Sequence, residues 1–333
     1  MYRNLDIIIS TTGWYDHIRT QDFDQAALAV FNHQYRNNTL YRSYCDLIHT
    51  VPEKVLDIRD IPFLPIHFFK THTVVTGSPR HFDAVFESSG TTQTVNSKHY
   101  IPSLPLYLDT CLKGFEARFG PAGSYVFLCL LPSYLERKNS SLVYMAQHLI
   151  DCSRQPESGF YLYDLERLSQ TITTLKAANR KIILLGVTFA LIDFAEQFPR
   201  DLQDVIIIET GGMKGKKEEW TRRQVHDYLK QQWQVPHICS EYGMTELSSQ
   251  AYSTGGENFH PIATMKALVR DEYDPLLTAP AGRGPLNIID LSNIYSCSFI
   301  ATEDIGIVHD DGTFEVLGRL DASALRGCSL MTI

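Results

Sequence analysis

KIILLGVTFALIDFAEQFPRDLQDVIIIE (181–209) begins and ends in short apolar runs, with a segment of helical spacing between them. The runs 181–187 and 205–209 are rich in Ile, Leu and Val and do not alternate polar with apolar residues. That pattern predicts strands buried on both faces, and 189–198 between them a helix. The same rhythm extends outward. Strands are expected at 81–86, 125–131, 160–163 and 237–240, and helices at 104–119, 140–151, 165–178 and 218–233. Short apolar strands separated by helices specify an α/β fold with a mainly parallel, doubly wound sheet. Ligands of such sheets bind beyond the carboxyl ends of the strands, so the chemistry is sought in the loops that follow them.

Beyond Ser253 the pattern changes. Short strands are expected at 265–270, 286–290, 299–301, 306–309 and 313–317, with Asp310-Asp311-Gly312 as a hairpin turn. Upstream, Phe23, Ala26, Ala27, Val30, Phe31 and Tyr35 recur at helical spacing. IPFLPIHFFK (61–70) reads as a loop or edge segment, because its prolines forbid a regular helix. The expected organisation is a helical N-terminal segment packed on the core (1–80), an α/β core (81–254), a smaller β-rich lobe (255–319) and a C-terminal tail (320–333).

The 333 residues are 44% hydrophobic and 20% charged, ordinary values for a chain with a sizeable core. Lys and Arg number 30 against 38 Asp and Glu, a net −8 that argues against a nucleic-acid partner. Seven cysteines occur without a CxxC pair, so a structural zinc site is not expected. No apolar run approaches the ~20 residues of a membrane span, and the N-terminus lacks a signal-peptide pattern. The expected location is the cytoplasm.

Four loops carry candidate chemistry. Glu87-Ser88-Ser89-Gly90-Thr91-Thr92 follows the strand 81–86, and its hydroxyls about a glycine turn suit phosphate oxygens. Glu209-Thr210-Gly211-Gly212-Met213-Lys214 lacks the P-loop spacing, yet its glycines permit close backbone approach to a flat base or a phosphate. Glu241-Tyr242-Gly243-Met244-Thr245-Glu246 combines a hydroxyl with a carboxylate of the kind that holds Mg2+ beside phosphates. Thr302-Glu303-Asp304-Ile305-Gly306, with Gly318-Arg319 later, offers a carboxylate and a guanidinium for a ribose. Singly, each also reads as ordinary turn chemistry or a surface ion pair. A pair of histidines, His67 and His72, reads as incidental rather than metal-binding, and Arg137 as a weaker anion candidate.

Taken together and in order, SSGTT (88–92), the Gly-Gly loop, YGMTE (242–246), TEDIG (302–306) and GRLD (318–321) resemble the motif series of the adenylate-forming superfamily. The ending GRLDASALRGC (318–328) narrows the resemblance to the LuxE-type acyl-protein synthetases. The resemblance implies the large-domain fold of that superfamily and a reaction using ATP and Mg2+. It implies that Ser88, Ser89, Gly90, Thr91 and Thr92 hold the β- and γ-phosphates, that Thr245 contacts the α-phosphate, and that Glu246 binds Mg2+. Gly211 and Gly212 would line the adenine, with Tyr242 and Gly243 beside it, and Asp304 and Arg319 would take the ribose hydroxyls. Two departures stand out. The lysine that usually follows the phosphate loop is displaced, with Lys98 as its substitute. The superfamily's mobile C-terminal domain, which supplies a catalytic lysine, is expected to be absent, and Lys214 is the candidate replacement.

Cys328 lies beside Arg326 and Gly327, which favour a thiolate on a freely turning backbone. The resemblance makes it the acceptor of the acyl group before delivery to an acyl-accepting reductase or carrier protein. The expected function is ATP-dependent activation of a fatty or aromatic acid and acyl transfer to that thiol. Transfer of the same adenylate to coenzyme A is the nearest alternative, and a non-catalytic nucleotide- or acyl-binding subunit another.

Overall fold

The computed structural model describes residues 13–88, 95–132, 139–211 and 220–320. The chain forms two compact units. The first comprises Met1–Tyr107, Glu246–Ser249 and His260–Ile333, and the second Leu108–Thr245 and Gln250–Phe259. The N-terminal helices and the β-rich lobe, read as separate segments in the sequence, therefore fall within one unit.

In chain order the first unit opens with α1 (Trp14–Arg19), α2 (Phe23–Asn37) and α3 (Thr39–Leu47). Asp22 caps α2 by accepting from the Gln25 amide at 2.9 Å. The buried face of α2 carries Ala26, Ala27, Val30 and Phe31, as the spacing predicts, and also Gln34, which it did not; Phe23 and Tyr35 are only half-buried. The proline-punctuated segment becomes β1 (Leu64–Pro65) followed by the short α4 (Phe68–Thr71). Pro65 stands on an edge strand, where its missing N–H costs the ladder nothing. Next come the hairpin β2 (Ala84–Glu87) and β3 (Lys98–Ile101), and then α5 (Leu104–Phe119), whose residues from Leu108 onward belong to the second unit.

The second unit contains β4 (Val126–Leu130), α6 (Ser141–Ser153), β5 (Gly159–Phe160), α7 (Leu165–Ala177), β6 (Ile182–Val187), α8 (Thr188–Gln197), β7 (Val205–Thr210), α9 (Arg222–Trp233), β8 (Cys239–Tyr242) and β9 (Ala251–Ser253). Its strands run β9-β8-β7-β6-β4-β5, with β4 to β8 parallel and β9 antiparallel to β8. Every residue of β4 and β6 is buried, which is why their sequences read as unbroken apolar runs. The loops after β7 and β8 leave the carboxyl end of this sheet.

The remaining strands return to the first unit: β10 (His260–Pro261), β11 (Met265–Arg270), β12 (Thr278–Ala279), β13 (Gly282–Asp290), β14 (Phe299–Val308) and β15 (Phe314–Arg319). Apart from β10, which is not part of it, these strands form a sheet that runs β1-β14-β13-β11-β12, with β15 on β14. Phe299 anchors its core, with the rings of Phe31, Tyr41 and Phe63 within 6.2 Å.

Several boundaries differ from the sequence reading: β2 begins at Ala84 rather than at 81, and β13 at Gly282 rather than at 286. The segments 299–301 and 306–309 are one strand, β14, because Thr302, Asp304 and Gly306 point inward in strict alternation despite the charges between the apolar ends. The strand expected at 237–240 starts and ends two residues later, so Glu241 and Tyr242 belong to β8 rather than to the loop. The strand at 160–163 shrinks to two residues, and β3 was not expected, since KHYI carries no apolar run.

Candidate functional site

In the first unit Ser88 and Ser97, which flank the candidate 88–92 motif and the residues after it, are tied together. The Ser88 amide donates to the Ser97 carbonyl at 3.0 Å, and Ser88 Oγ accepts from the Ser97 amide at 2.9 Å. These bonds continue the β2–β3 ladder one step beyond the Glu87–Lys98 pair. The Ser97 hydroxyl in turn donates to the carboxylate of Glu246. Ser88 and Glu246, 158 positions apart by subtraction of their numbers, are thus two bonds from one another through Ser97. Burial raises the Glu246 carboxyl above its ordinary range, while the Ser97 bond and the charges of Arg319 and Lys70 act the other way. Lys98 lies 3.8 Å from Glu87 across the hairpin.

Asp304 is buried on the inner face of β14, and Arg319 Nε at the end of β15 donates to its Oδ1 at 3.0 Å. The two are cross-strand partners in register. The sequence placed them on separate loops; the structure makes them a pair, with the guanidinium largely exposed and the carboxylate not.

In the second unit the carboxyl ends of β7 and β8 gather hydroxyls and acids. Thr188 Oγ1 donates to the Gly211 carbonyl at 2.6 Å and lies against Glu209. Ser240 Oγ sits 3.3 Å from Glu209 Oε2 and 3.1 Å from His226 Nε2. Thr210 bonds Glu241, whose carboxyl folds back over Gly243; a Cβ on Gly243 would stand 2.4 Å from Glu241 Oε1. The Tyr242 ring is buried and packs 5.7 Å from Phe259. Thr245 is half-buried. Thr188, Ser240 and His226 were not singled out in the sequence, and each is an ordinary residue of a helix or strand until the fold brings it to Glu209.

The Glu241 carboxyl is pushed up to about 7, by burial first and by Glu209 as well, with the Thr210 bond opposing. A carboxyl raised in the folded state binds a proton that the unfolded chain has released, so stability falls as pH rises from the ordinary Glu range through about 7. Glu241→Gln is expected to flatten that fall and to stabilise the protein at pH 8 by up to ~3 kcal/mol, with little change at pH 4.5. Denaturant unfolding at the two pH values measures it, and equal stabilities at pH 8 would refute the assignment.

Ser89, Gly90, Thr91, Thr92, Arg137, Gly212, Lys214 and Cys328 lie outside the described residues. Among the described residues no group of three or more His, Cys, Asp or Glu side chains could cage a metal, and His67 and His72 instead flank the Phe68 ring at 4.9 and 5.1 Å. A single buried carboxylate with hydroxyl neighbours does fit Mg2+, which takes one or two carboxylates together with substrate phosphates. No helix among the described residues is long and apolar enough to cross a membrane.

Comparisons with known proteins bear on the family likeness and the fold. The family model described as "Acyl-protein synthetase, LuxE" matches residues 6–101. The long-chain-fatty-acid–luciferin-component ligase of Vibrio harveyi is 23% identical over 90% of this chain and 84% of its own. A 2-hydroxyisobutyryl-CoA ligase bound to 2-HIB-AMP and CoA superposes with a TM-score of 0.66 at 14% identity, over 93% of this chain and 71% of that one. ATP-bound MatB from Rhodopseudomonas palustris gives 0.55 at 15% identity over 74% of this chain, which spans about half (49%) of MatB. These structures show the fold, an α/β architecture like the large domain of adenylate-forming ligases. Motif order, fold and similarity along most of the chain converge, and the chain resembles the LuxE-type acyl-protein synthetases, a branch of the adenylate-forming superfamily.

Proposed function

We propose that this protein activates a long-chain fatty acid with ATP and passes the acyl group to a thiol. The observation that carries the reading is the junction of Ser88, Ser97 and Glu246, which ties the start of the 88–92 motif to a buried carboxylate with a hydroxyl neighbour. A bound Mg2+ would neutralise charge on the phosphates. The chain's own part is positioning. Ser88, Ser89, Gly90, Thr91 and Thr92 hold the β- and γ-phosphates, and Thr245 the α-phosphate. Gly211, Gly212, Tyr242 and Gly243 receive the adenine, and Asp304 with Arg319 the ribose. The fatty carboxylate oxygen attacks the α-phosphorus, a P–O bond forms, and pyrophosphate leaves. Lys214, on the loop after β7, steadies the charge that develops there.

The acyl-adenylate then meets a thiolate, which attacks the carbonyl carbon and expels AMP, its proton having gone to solvent. Cys328 is that thiol. The described cysteines support the choice, because burial raises Cys45, Cys129, Cys239 and Cys297 well away from thiolate at neutral pH, raises the half-buried Cys152 as well, and leaves Cys111 fully enclosed. Onward transfer goes to an acyl-accepting reductase or carrier protein. The fatty acid, rather than an aromatic one, follows the named activity of the Vibrio harveyi relative.

The test is intact-protein mass spectrometry after incubation with ATP, Mg2+ and fatty acids of graded length, beside Cys328→Ser and Lys214→Ala. An ATP-dependent acyl mass gain is expected on the wild type, none on C328S, and a slower gain on K214A. Pyrophosphate release without an adduct would move the acceptor to coenzyme A or another protein. Neither adduct nor pyrophosphate would leave a binding subunit.

A further inference from the structure

Glu246–Ser249 is a four-residue excursion into the first unit between stretches of the second. There it is held from one side by the last residue of β13 and the segment that follows it. Asp290, wholly buried, accepts from the Ser248 amide (2.7 Å), the Ser249 amide (2.9 Å) and Ser249 Oγ (2.6 Å), and from the Ser292 amide (3.0 Å). Asn293 faces the same excursion. Its Nδ2 donates to the Glu246 carbonyl at 2.7 Å, and its Oδ1 accepts from Ser248 Oγ at 2.5 Å. Asn293 is itself fixed, since Gln34 Nε2 donates to its carbonyl at 2.9 Å. Every contact is buried, so each member lacks water as an alternative partner.

We infer that Asn293, backed by Asp290, is a positioning residue that aims the Glu246 carboxylate and thereby sets the affinity for the divalent cation of a bound nucleotide. This rests on the reading of Glu246 given above. The side chain of Glu246 has the Ser97 hydroxyl to direct its far end, and its main chain has Asn293. With both ends held, the carboxylate can point only one way. Removing the Asn293 amide frees the Glu246 carbonyl, lets the peptide turn, and leaves the carboxylate to Ser97 alone. Outer-shell partners of metal-binding carboxylates affect metal affinity by about 10–100-fold.

The experiment is equilibrium binding of ATP to the full chain, with Mg2+ and with EDTA, for wild type, Asn293→Ala and Ser248→Ala, alongside thermal unfolding. The wild type is expected to bind ATP more tightly with Mg2+. N293A is expected to lose about 10-fold or more of that Mg2+-dependent gain while its affinity in EDTA stays unchanged. S248A, which removes one partner of Asn293 and leaves the Glu246 bond, is expected to lose less in the same direction. A purely structural role would weaken binding equally with and without Mg2+, and an undiminished gain in both variants would likewise overturn the inference. A wild type that binds no nucleotide under either condition would defeat the adenylation reading first and this inference with it.

Discussion

Glu246→Gln is expected to slow ATP-dependent pyrophosphate release by roughly 10²–10³-fold, the range seen when one preorganised electrostatic group is removed from a reacting centre. The substitution keeps the size of the side chain and its bond to Ser97, and deletes only the charge. Burial holds the Glu246 carboxyl above its ordinary range, so the ionised form costs the fold stability as pH rises above the normal Glu value. The glutamine carries no such cost. E246Q should therefore unfold no earlier than wild type at pH 8 while losing nearly all turnover. Activity and thermal unfolding measured on the same preparation separate this outcome from a damaged fold. A variant that releases pyrophosphate at the wild-type rate across a range of Mg2+ concentrations would remove Glu246 from the site.

Gly306→Ala is expected to cost ~3 kcal/mol or more of stability, at the upper end for overpacking. A Cβ at this position would stand 2.1 Å from the Glu315 carbonyl oxygen and 2.9 and 3.0 Å from the two Leu286 methyls. The leucine can rotate, but the carbonyl is main chain on the neighbouring strand. The ladder between β14 and β15 already shifts register between Ile305 and Gly306, and only glycine allows the strands to close there. Parting them would also draw Arg319 from Asp304, which lies two residues away on the same strand. Nucleotide binding should fall with stability in G306A, whereas in E246Q the two separate. A wild-type unfolding midpoint in urea would show that β15 yields more easily than this packing allows.

What the sequence made legible depended on the burial of each element. The apolar runs at 182–187 and 205–208 admitted one reading because both faces of those strands are covered. Leu104–Phe119 was legible to the residue because a helix of that length repeats its apolar spacing several times. β14 was split in two because Glu303 and Asp304 interrupt the apolar pattern, although Asp304 turns inward with its neighbours. The candidate site motifs were read from their order, and of that series the structure links Ser88 to Glu246 through Ser97. The supports were not. Asp290 and Asn293 stand at the end of an apolar strand, and their bonds reach back more than 40 positions, to Ser248 and Glu246. No periodicity records a hydrogen bond of that span. The one trace was a polar cluster, DLSN (290–293), closing a run that otherwise reads as core.

The excursion of Glu246–Ser249 also bears on inheritance. Swapping 108–259 between two related genes needs only two crossovers, and it would carry these four residues along with the second unit. Asp290 and Asn293 would stay behind with the recipient. A chimaera made that way joins the 246–249 segment of one parent to the 290–293 supports of the other, a coupling by contact between two segments read from distant parts of the gene. Shuffling that respects the coupling would need four junctions, leaving the four residues with the lobe that grips them.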